Sequence, residues 1–458
     1  MSRPAREANE PSRRWPRRPL ALVAALLWSS LSASGALGAE VTHVATAATA
    51  LWPVEIDASV GFTGTIEQAD ISKEQFQQGA TPSTLIHGSE LSYRRTTSVL
   101  PIRVAGGIWH NLELHVMVPI VIDDVQHYDF APLTNGGALA TALTQGSGVC
   151  PEGGTSCASG ISPGGPQNAL IQGVSLPFDS NRGGFTVGDI TIGAAWAPLT
   201  EEDDPSSPTW LLGFDYVAPN ASPMNPTKVS YLSASNGTVA DIGDGLHHFH
   251  PYTALSKRRG AFDPYVSFWM DFAHAQGTTY DNCQNPFPNS GGDPRVNCGV
   301  APFMPEVTRL QPEYQGGFWF GTEVVPFENA AEFQKIAIDA RVVTEYHSAA
   351  RTYTQLTDLV QALTYQQDYA RLGGQVGLYL HASKYLLATV NFALLHDTDH
   401  WLTQENFGGP NAPAGSKIMV GSPQQNPNFD FRYDNPGSRF LLQNSLLGSL
   451  SMNLEARF

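Results

Sequence analysis

The chain has little charge, and most of that charge is negative. Only 15 % of its 458 residues are Asp, Glu, Lys or Arg, whereas roughly 25 % is usual in a soluble domain. The 26 Lys and Arg residues are outnumbered by 42 Asp and Glu residues, which gives a net charge of −16 at pH 7. Such a surface repels nucleic acid, and no basic patch with interleaved aromatic residues is present. We therefore expect no nucleic-acid partner.

Long apolar runs are missing after the N-terminal region. A helix that crosses a bilayer needs about 18 or more consecutive apolar residues, and no later stretch approaches that length. The N-terminal region has six arginines, then the apolar run LALVAALLW at 20–28, then the small residues ALG at 36–38. This order is typical of a secretory signal peptide, so we expect residues 1–38 to be removed on export. A retained helical anchor is the alternative.

Cysteine is scarce, and its spacing does not suit a metal site. The four cysteines form two local pairs, Cys150 with Cys157 and Cys283 with Cys298, in segments rich in Gly, Pro, Asn and Ser. The CxxC spacing of many zinc sites is absent. Thiols oxidise after export, and pairing between neighbours is the simplest of the three connectivities. We predict that these cysteines form loop disulfides, and we predict no cofactor.

Alternation of apolar and polar residues is abundant. In LELHVMVPIVIDD (112–124) one face carries Leu, Leu, Val, Val, Ile and Ile, and the other carries Glu, His, Met and Asp. The same period recurs in WLLGFDYVA (210–218), YVSFWMDF (265–272), KIAIDARV (335–342), YLLATVNFALL (385–395) and SMNLEARF (451–458). A period of two indicates β-strands with one apolar face. A face of about ten residues is long enough to cross a bilayer as a tilted strand.

The connections between these stretches alternate in length. Short connections lie at 109–111, 200–207, 258–261, 328–331 and 382–384, and long ones lie at about 128–183, 221–246, 276–311, 350–367 and 400–438. A soluble β-sandwich also alternates along each strand. Short turns at one end and long loops at the other are typical of an outer-membrane barrel, whose short turns face the periplasm.

Twelve candidate strands follow from this pattern. They are 54–66, 92–108, 112–125, 185–198, 208–219, 247–257, 262–275, 313–326, 333–347, 369–381, 385–399 and 445–458. An even number returns both chain ends to the periplasm; ten and fourteen strands are the alternatives. We predict an all-β fold, a transmembrane antiparallel up-and-down β-barrel over residues 54–458, preceded by a periplasmic segment at 39–53. We expect this barrel to lie in the outer membrane of a Gram-negative bacterium, where outer-membrane lipid surrounds it.

Three hairpins resemble a known family. GDITIGAAWAPLTEEDDPSSPTWLLGFDYVAP (188–219) is similar to a hairpin of the outer-membrane protein family named after the meta-pathway of phenol degradation. The matching residues are Gly188, Asp189, Ile190, Ile192, Gly193, Glu201 to Asp204, Leu212, Phe214 and Pro219. RVAGGIWHNLELHVMVPIV (103–121) and TALSKRRGAFDPYVSFW (253–269) resemble the neighbouring hairpins. The resemblance implies a barrel that moves small, often aromatic, hydrophobic compounds.

The inward faces of the predicted strands give a set of charged candidates for the lumen. They are Arg103, Glu113, His115, Asp189, Asp215, Asp271, Glu323, Asp339, Arg341, Arg371, Glu455 and Arg457. In an open channel such residues set the field that a solute meets. The alternative is that they pair with one another and fill the barrel, because side chains can fill the interior of a small barrel.

Other readings of the sequence remain open. LHHFHPY (246–252) contains three His, and HDTDHW (396–401) contains two His and two Asp. Imidazole with carboxylate suits Zn or Ni; the alternative is that these are the polar residues that gather where strands meet loops. An outer-membrane hydrolase is a further alternative, since catalytic residues can be distant in the chain; no HExxH motif occurs. A structural or adhesive barrel whose long loops bind a partner is a third. We predict no catalytic residues and no metal.

Two further features concern the loops and the C-terminus. In TQLTDLVQALTYQQDYA (354–370) apolar residues at 356, 359, 360 and 363 have helical spacing, which predicts a short loop helix at the barrel mouth, with a plain loop as the alternative. The chain ends on Phe458 directly after an alternating run. Resemblance to outer-membrane barrels in general implies that this terminal aromatic residue is recognised by the barrel-assembly machinery.

Overall fold

The computed structural model describes most of the chain after the predicted signal peptide. The described residues are 39–47, 54–76, 85–131, 178–229, 238–275, 277, 279–284, 294–409 and 418–458. The predicted signal peptide and the Cys150 and Cys157 pair lie outside the described residues.

One antiparallel sheet closes on itself to form a barrel. Strands that are neighbours along the chain pair around the wall, and the last long strand pairs with the first, with Asp57 opposite Arg457 and Phe62 opposite Met452. The strands are β1 (Ile56–Phe76), β2 (Leu85–Trp109), β3 (Leu112–Phe130), β4 (Phe178–Val187), β5 (Ile190–Leu199), β6 (Thr209–Ala218), β7 (Leu246–Ser256), β8 (Phe262–Ala275), β9 (Tyr314–Asn329), β10 (Gln334–His347), β11 (Ala350–Thr352), β12 (Thr364–Gln366), β13 (Tyr369–Ser383), β14 (Leu386–Asp397), β15 (His400–Trp401) and β16 (Phe440–Arg457). Closure gives every backbone group in the wall a partner, which hydrocarbon requires.

The wall has twelve strand positions, as predicted. β4 and β5 share one position beside β3, β15 is a short addition to β16, and β11 pairs only with β12. The antiparallel all-β barrel and all twelve predicted strands are confirmed. Short α-helices lie at Pro305–Thr308 and Thr357–Val360, and 3-10 turns lie at Glu40–Thr42, Pro226–Lys228, Asn282–Gln284 and Pro294–Asn297.

β1 and β2 are longer than the sequence predicts. β1 runs ten residues past the predicted end at 66, and β2 starts seven residues before the predicted start at 92. The extra lengths pair with each other, for example Lys73 with Gly88. Buried polar residues such as Glu67, Ser72 and Glu74 lie in the β1 extension. Because these faces are polar, apolar alternation does not mark them.

The fourth wall position is broken. Three successive residues of β4, Gly183, Gly184 and Phe185, have φ of 100°, 80° and 59°, a region that non-glycine residues rarely adopt. These angles bend β4, and the β3 register shifts between Val121 and Asp123 at the same level. The strand predicted at 185–198 is two strands, which are separated at Gly188 and Asp189, and β4 begins earlier, at Phe178.

The outer surface of the wall is apolar. Exposed apolar side chains follow every second residue, as the alternation predicts; they include Val60, Val104, Val116, Ile192, Phe214, Phe268, Phe320, Val342, Val376, Phe392 and Leu454. Exposed aromatic residues gather at the end with the short turns; they are Trp109, Trp196, Trp210, Phe262, Tyr385 and Phe458. An apolar band with an aromatic girdle is the lipid-facing surface of a transmembrane barrel.

In the part of the chain that the structure describes, no helix has the length and hydropathy needed to cross a membrane.

Candidate functional site

Residues 39–47, the N-terminal segment, lie inside the barrel at the end with the short turns. The backbone N–H of Glu40 donates to Glu323 of β9 (2.6 Å), the hydroxyls of Thr42 and Ser256 of β7 share a hydrogen bond (2.9 Å), and the N–H of Ala45 donates to Glu113 of β3 (2.9 Å). A short segment can reach three separated wall strands only from the lumen. The segment predicted at 39–53 as periplasmic thus begins within the barrel mouth.

Glu40 anchors the N-terminal segment. Its carboxylate lies 2.6 Å from Nε2 of His381 on β13 and 3.3 Å from Nη2 of Arg457 on β16. Arg457 also pairs with Glu455 at 2.7 Å. Glu455, Arg457 and Glu323 are inward residues predicted from alternation. Glu40 was missed because it belongs to no alternating stretch.

Four of the predicted lumen residues form one charged chain. Arg103 of β2 pairs with Glu113 of β3. His115 then bridges two carboxylates, with Nδ1 2.9 Å from Glu113 and Nε2 3.0 Å from Asp215 of β6. Glu113 is 2 % exposed and His115 is 6 % exposed. These charges compensate one another, and through Ala45 they also hold the N-terminal segment.

The other predicted residues lie apart along the lumen, each with a partner of its own. Asp339 and Arg341 of β10 pair with each other at 2.7 Å, and Arg371 pairs with Asp397 at 2.6 Å. Asp271 and Asp189 complete the set: Nδ1 of His248 lies 3.1 Å from Asp271, and Asp189 accepts a hydrogen bond from the N–H of Ala221 (2.8 Å). Each of these residues therefore has a direct partner in the structure, and for Asp189, Asp271 and Arg371 that partner lies outside the predicted set.

The histidine groups of the sequence do not converge on shared metal positions. In 246–252, His247 bonds to the Tyr216 hydroxyl (2.6 Å), His248 contacts Asp244 (2.7 Å), and the His250 ring stacks on Trp269 (5.2 Å between centroids). In 396–401, His396 lies 2.6 Å from the carbonyl of Ser445, and His400 lies 2.8 Å from the carbonyl of Thr398. Each imidazole is thus held by its own neighbour.

His381 and Ser383, two positions apart on β13, do not form a nucleophile and base. His381 faces Glu40, as described above. The Ser383 hydroxyl accepts a hydrogen bond from the backbone N–H of Tyr385 (3.2 Å), which stabilises the short turn. This pair therefore has turn and anchoring contacts, and hydrolysis has no support from it.

Aromatic residues line the lumen on the long-loop side of the N-terminal segment. The guanidinium of Arg341 lies over the rings of Tyr265 (5.7 Å) and Trp319 (5.3 Å), and it donates to the Tyr379 hydroxyl (3.0 Å). With Tyr252 and Trp269, these rings form a surface that we call the inner aromatic patch; its members are Tyr252, Tyr265, Trp269, Trp319 and Tyr379. The patch presents flat apolar faces together with one cation.

Glycine residues on the neighbouring strands make room for two of these rings. A Cβ built on Gly213 would lie 2.0 Å from the ring of Tyr252, and one built on Gly317 would lie 2.7 Å from Nε1 of Trp269. The rings therefore lie flat against glycine backbone. The indole N–H groups of Trp269 and Trp319 are buried and have no hydrogen-bond partner among the described residues. A buried donor without an acceptor is costly, so these two indoles carry unsatisfied hydrogen-bonding capacity.

A second inner element, residues 350–366, fills the long-loop end; we call it the loop core. It consists of the β11–β12 hairpin and the helix Thr357–Val360. Its apolar residues pack against inward residues of the wall; the cluster includes Ile71, Leu91, Tyr93, Tyr128, Phe178, Leu356, Leu359, Val360, Phe440 and Leu442. The loop helix predicted from the apolar residues at 356, 359, 360 and 363 is confirmed, as a single turn with its side chains buried.

A buried ion pair locks the loop core to the wall. Nη2 of Arg182, on β4, lies 2.7 Å from Oδ1 of Asp358, and both side chains are 0 % exposed. Asp358 also accepts hydrogen bonds from the hydroxyls of Ser180 (2.5 Å) and Tyr353 (3.1 Å). Sequence reasoning missed both charges because Arg182 falls in a predicted loop and Asp358 falls between apolar helix residues.

Described residues of two other long loops, which we call the outer layer, contact the loop core: the Asn282 amide donates to the carbonyl of Leu363 (3.0 Å), and Glu405 pairs with Arg351 (2.6 Å). Cys283 and Cys298 form a disulfide, as predicted. Asp434 accepts backbone N–H bonds from Asp430 (2.8 Å) and Glu405 (3.1 Å). Burial raises the pKa of Asp434 well above its usual value, and these N–H donors only partly oppose the shift. The outer layer thus contains a carboxyl group that keeps its proton to higher pH than an exposed Asp.

Comparison with known proteins gives similarity in fold only. No protein-family profile and no curated protein matches the sequence. Among solved structures, the COG4313 outer membrane channel from Pseudomonas putida F1 is 10 % identical with a TM-score of 0.38, covering 88 % of this chain and 95 % of that one. The CymD monoaromatic hydrocarbon channel is 9 % identical with a TM-score of 0.29, covering 88 % of each chain. The outer membrane protease OmpT from Escherichia coli is 6 % identical with a TM-score of 0.26, covering 88 % of this chain and 96 % of that one. This chain is similar to channels and to a protease at comparable levels, so its function has to be argued from its own residues.

Proposed function

We propose that the protein is a gated channel of the Gram-negative outer membrane that passes small molecules. One observation carries the proposal: the lumen is filled by two chain segments that are not part of the wall. The N-terminal segment is held by Glu40, and the loop core is held by Asp358. Either segment can leave without breaking a wall hydrogen bond, so the described structure is the closed state.

The orientation follows from the loops. Short turns of outer-membrane barrels face the periplasm and long loops face outward. The N-terminal segment is then a periplasmic gate, and the loop core is an extracellular gate. Outer-membrane lipid surrounds the apolar belt, and the barrel-assembly machinery recognises the C-terminal strand with Phe458.

The inner aromatic patch supports a small, planar, aromatic or hydrophobic solute. Flat rings over glycine backbone leave a smooth apolar wall, on which an aromatic solute stacks. Arg341, which pairs with Asp339 and lies over the rings of Tyr265 and Trp319, places a guanidinium at the patch that suits a solute carrying a hydrogen-bond acceptor. The protein performs no covalent chemistry in this proposal.

Uptake by liposomes carrying the purified protein tests the proposal. We compare a neutral aromatic, an aromatic acid and a sugar of similar size, in the wild type and in a Trp319→Ala variant. The aromatic compounds should enter faster than the sugar, and the variant should lose several-fold of that preference. Phe320→Ala is the matched control, because Phe320 is the next residue on β9, faces lipid and is 58 % exposed.

The possible outcomes separate the candidate functions. Equal uptake of sugar and aromatic compounds would contradict the proposed preference for aromatic solutes, but it would still agree with a channel. An inserted barrel that takes up none of the three solutes would contradict the channel, and the adhesive or structural barrel would replace it.

A further inference from the structure

A histidine and two carboxylates meet where the N-terminal segment joins the wall. His43 belongs to the segment, Glu55 precedes β1, and Asp57 is the second residue of β1. One donor atom from each residue lies within 4.8 Å of the others, and Nε2 of His43 lies 3.6 Å from Oδ2 of Asp57. Among the residues that the structure describes, this is the group of His, Cys, Asp and Glu that converges closely enough for one ion.

Among the described residues, no Lys or Arg forms a direct ion pair with either carboxylate. Glu55 and Asp57 are each 2 % exposed. Arg457 lies opposite Asp57 on the neighbouring strand, and its positive charge acts on both carboxylates, but its guanidinium makes its direct contacts with Glu40 and Glu455. Burying a carboxylate without a directly paired cation is strongly unfavourable. Among the described residues, His43 is the group that converges with both carboxylates.

The atoms that would bind the ion also lack hydrogen-bond partners. Oδ1 of Asp57 and Nε2 of His43 are buried and have no hydrogen-bond partner among the described residues. Glu55 uses one oxygen to accept the N–H of Thr46 (3.0 Å), which leaves its other oxygen for a further partner. Two buried atoms without partners, Oδ1 of Asp57 and Nε2 of His43, therefore face each other beside the Glu55 carboxylate, which indicates a missing shared partner.

The cluster can be reached from the mouth of the barrel. A cavity at this end is lined by His43 and Glu55 together with residues of the short turns, including Asn111, Asp203 and Lys384. The side chain of His43 is 30 % exposed. An ion can therefore enter without unfolding the wall, which a real metal site requires.

We propose that His43, Glu55 and Asp57 bind one divalent transition-metal ion, with Zn²⁺ the best match. One imidazole nitrogen and two carboxylate oxygens are ligands that Zn²⁺ accepts, and water from the cavity completes the coordination. Metal–donor bonds of about 2.0–2.2 Å would draw the three groups together by a small side-chain adjustment. The ion joins the N-terminal segment to β1, so metal stabilises the closed periplasmic gate. That consequence rests on the proposed function, whereas binding itself does not.

Zinc binding to the assembled full-length barrel tests the site directly. The detergent-solubilised protein is stripped with EDTA and dialysed against Zn²⁺, and bound metal is counted by elemental analysis. Wild type should bind one ion above background, and His43→Ala and Asp57→Asn should each weaken binding by about tenfold or more, as loss of a metal-site group does. A His248→Ala, His400→Ala double variant is the matched control and should bind like wild type.

A second measurement needs only the wild type, in case a variant does not assemble. Zn²⁺ should protect His43 from diethylpyrocarbonate, whereas His110, in the neighbouring short turn and 49 % exposed, should react equally with and without metal. Binding that is absent, or that His43→Ala leaves unchanged, overturns the site; so does equal modification of His43 in both conditions. In that case a protonated His43 is what compensates the two carboxylates. Zinc that binds but leaves solute uptake unchanged contradicts only the gating role.

Discussion

Replacing Asp358 by Asn should open the extracellular gate. Arg182 would keep its charge in a site where both side chains are 0 % exposed, and breaking a buried pair in this way costs about 3–5 kcal/mol. The cost is relieved when the loop core leaves the lumen, because Arg182 then meets water. At about 1.4 kcal/mol per factor of ten, even a third of this cost raises the population of displaced loop core about tenfold.

The assay is solute uptake by liposomes that carry equal amounts of assembled barrel. Asp358→Asn should take up the aromatic solute about ten times faster than wild type. Two controls make the test specific. Asp179→Asn removes an exposed pair with His127 from the same strand and should change nothing, since exposed pairs contribute little. Arg182→Met with Asp358→Leu should restore slow uptake, because apolar residues can replace a buried ion pair. An assembled Asp358→Asn barrel with wild-type uptake would refute the reasoning.

Three further changes test other parts of the account. The N–H and the C-terminal oxygen of Phe458 both bond to the backbone of Ile56 (2.9 and 3.0 Å). Deleting Phe458 should lower the yield of heat-modifiable barrel in the outer-membrane fraction. Normal insertion would contradict the role of the terminal residue. Cys283→Ser removes a disulfide that closes a loop of sequence separation 15, and such a crosslink stabilises the folded loop by about 3 kcal/mol in chain-entropy terms. Limited proteolysis should therefore cut 276–311 faster while the barrel persists. An equal rate would argue against a stabilising role for the disulfide. Gly213→Ala places a Cβ 2.0 Å from the ring of Tyr252, so the ring must move into the lumen and aromatic uptake should fall several-fold, while uptake unchanged from wild type would show that the patch is not on the path.

The wall of the barrel could be predicted because its physics is local. One face of each strand meets lipid, so apolar residues recur with period two. The direction of Phe268, Met270 and Phe272 can therefore be predicted from their own strand, without information on its neighbours. The alternation also places the inward charges, such as Asp339 and Arg341. Where that contrast is weak, as in the polar β1 extension and at the bend from Gly183 to Phe185, the predicted boundaries fail.

The contents of the lumen could not be predicted in the same way. Glu40, Arg182 and Asp358 form ion pairs with residues that are 176 to 417 positions away in the chain. No periodicity links such residues. The helical spacing at 356–363 did indicate a loop helix, but the sequence does not say that it would enter the barrel. The group of His43, Glu55 and Asp57 matches no spacing motif either, since it depends on contacts between residues 43–47 and 54–57, such as the hydrogen bond from the N–H of Glu55 to the carbonyl of Thr46 (3.0 Å).

Current through single barrels in a planar bilayer tests the central claim most directly. A channel closed at both ends by displaceable segments should show a closed baseline with discrete openings, and Asp358→Asn should increase the fraction of time spent open. Verified insertion with no current steps in either protein would contradict the channel. A steady, fully open current through the wild type would contradict the two gates.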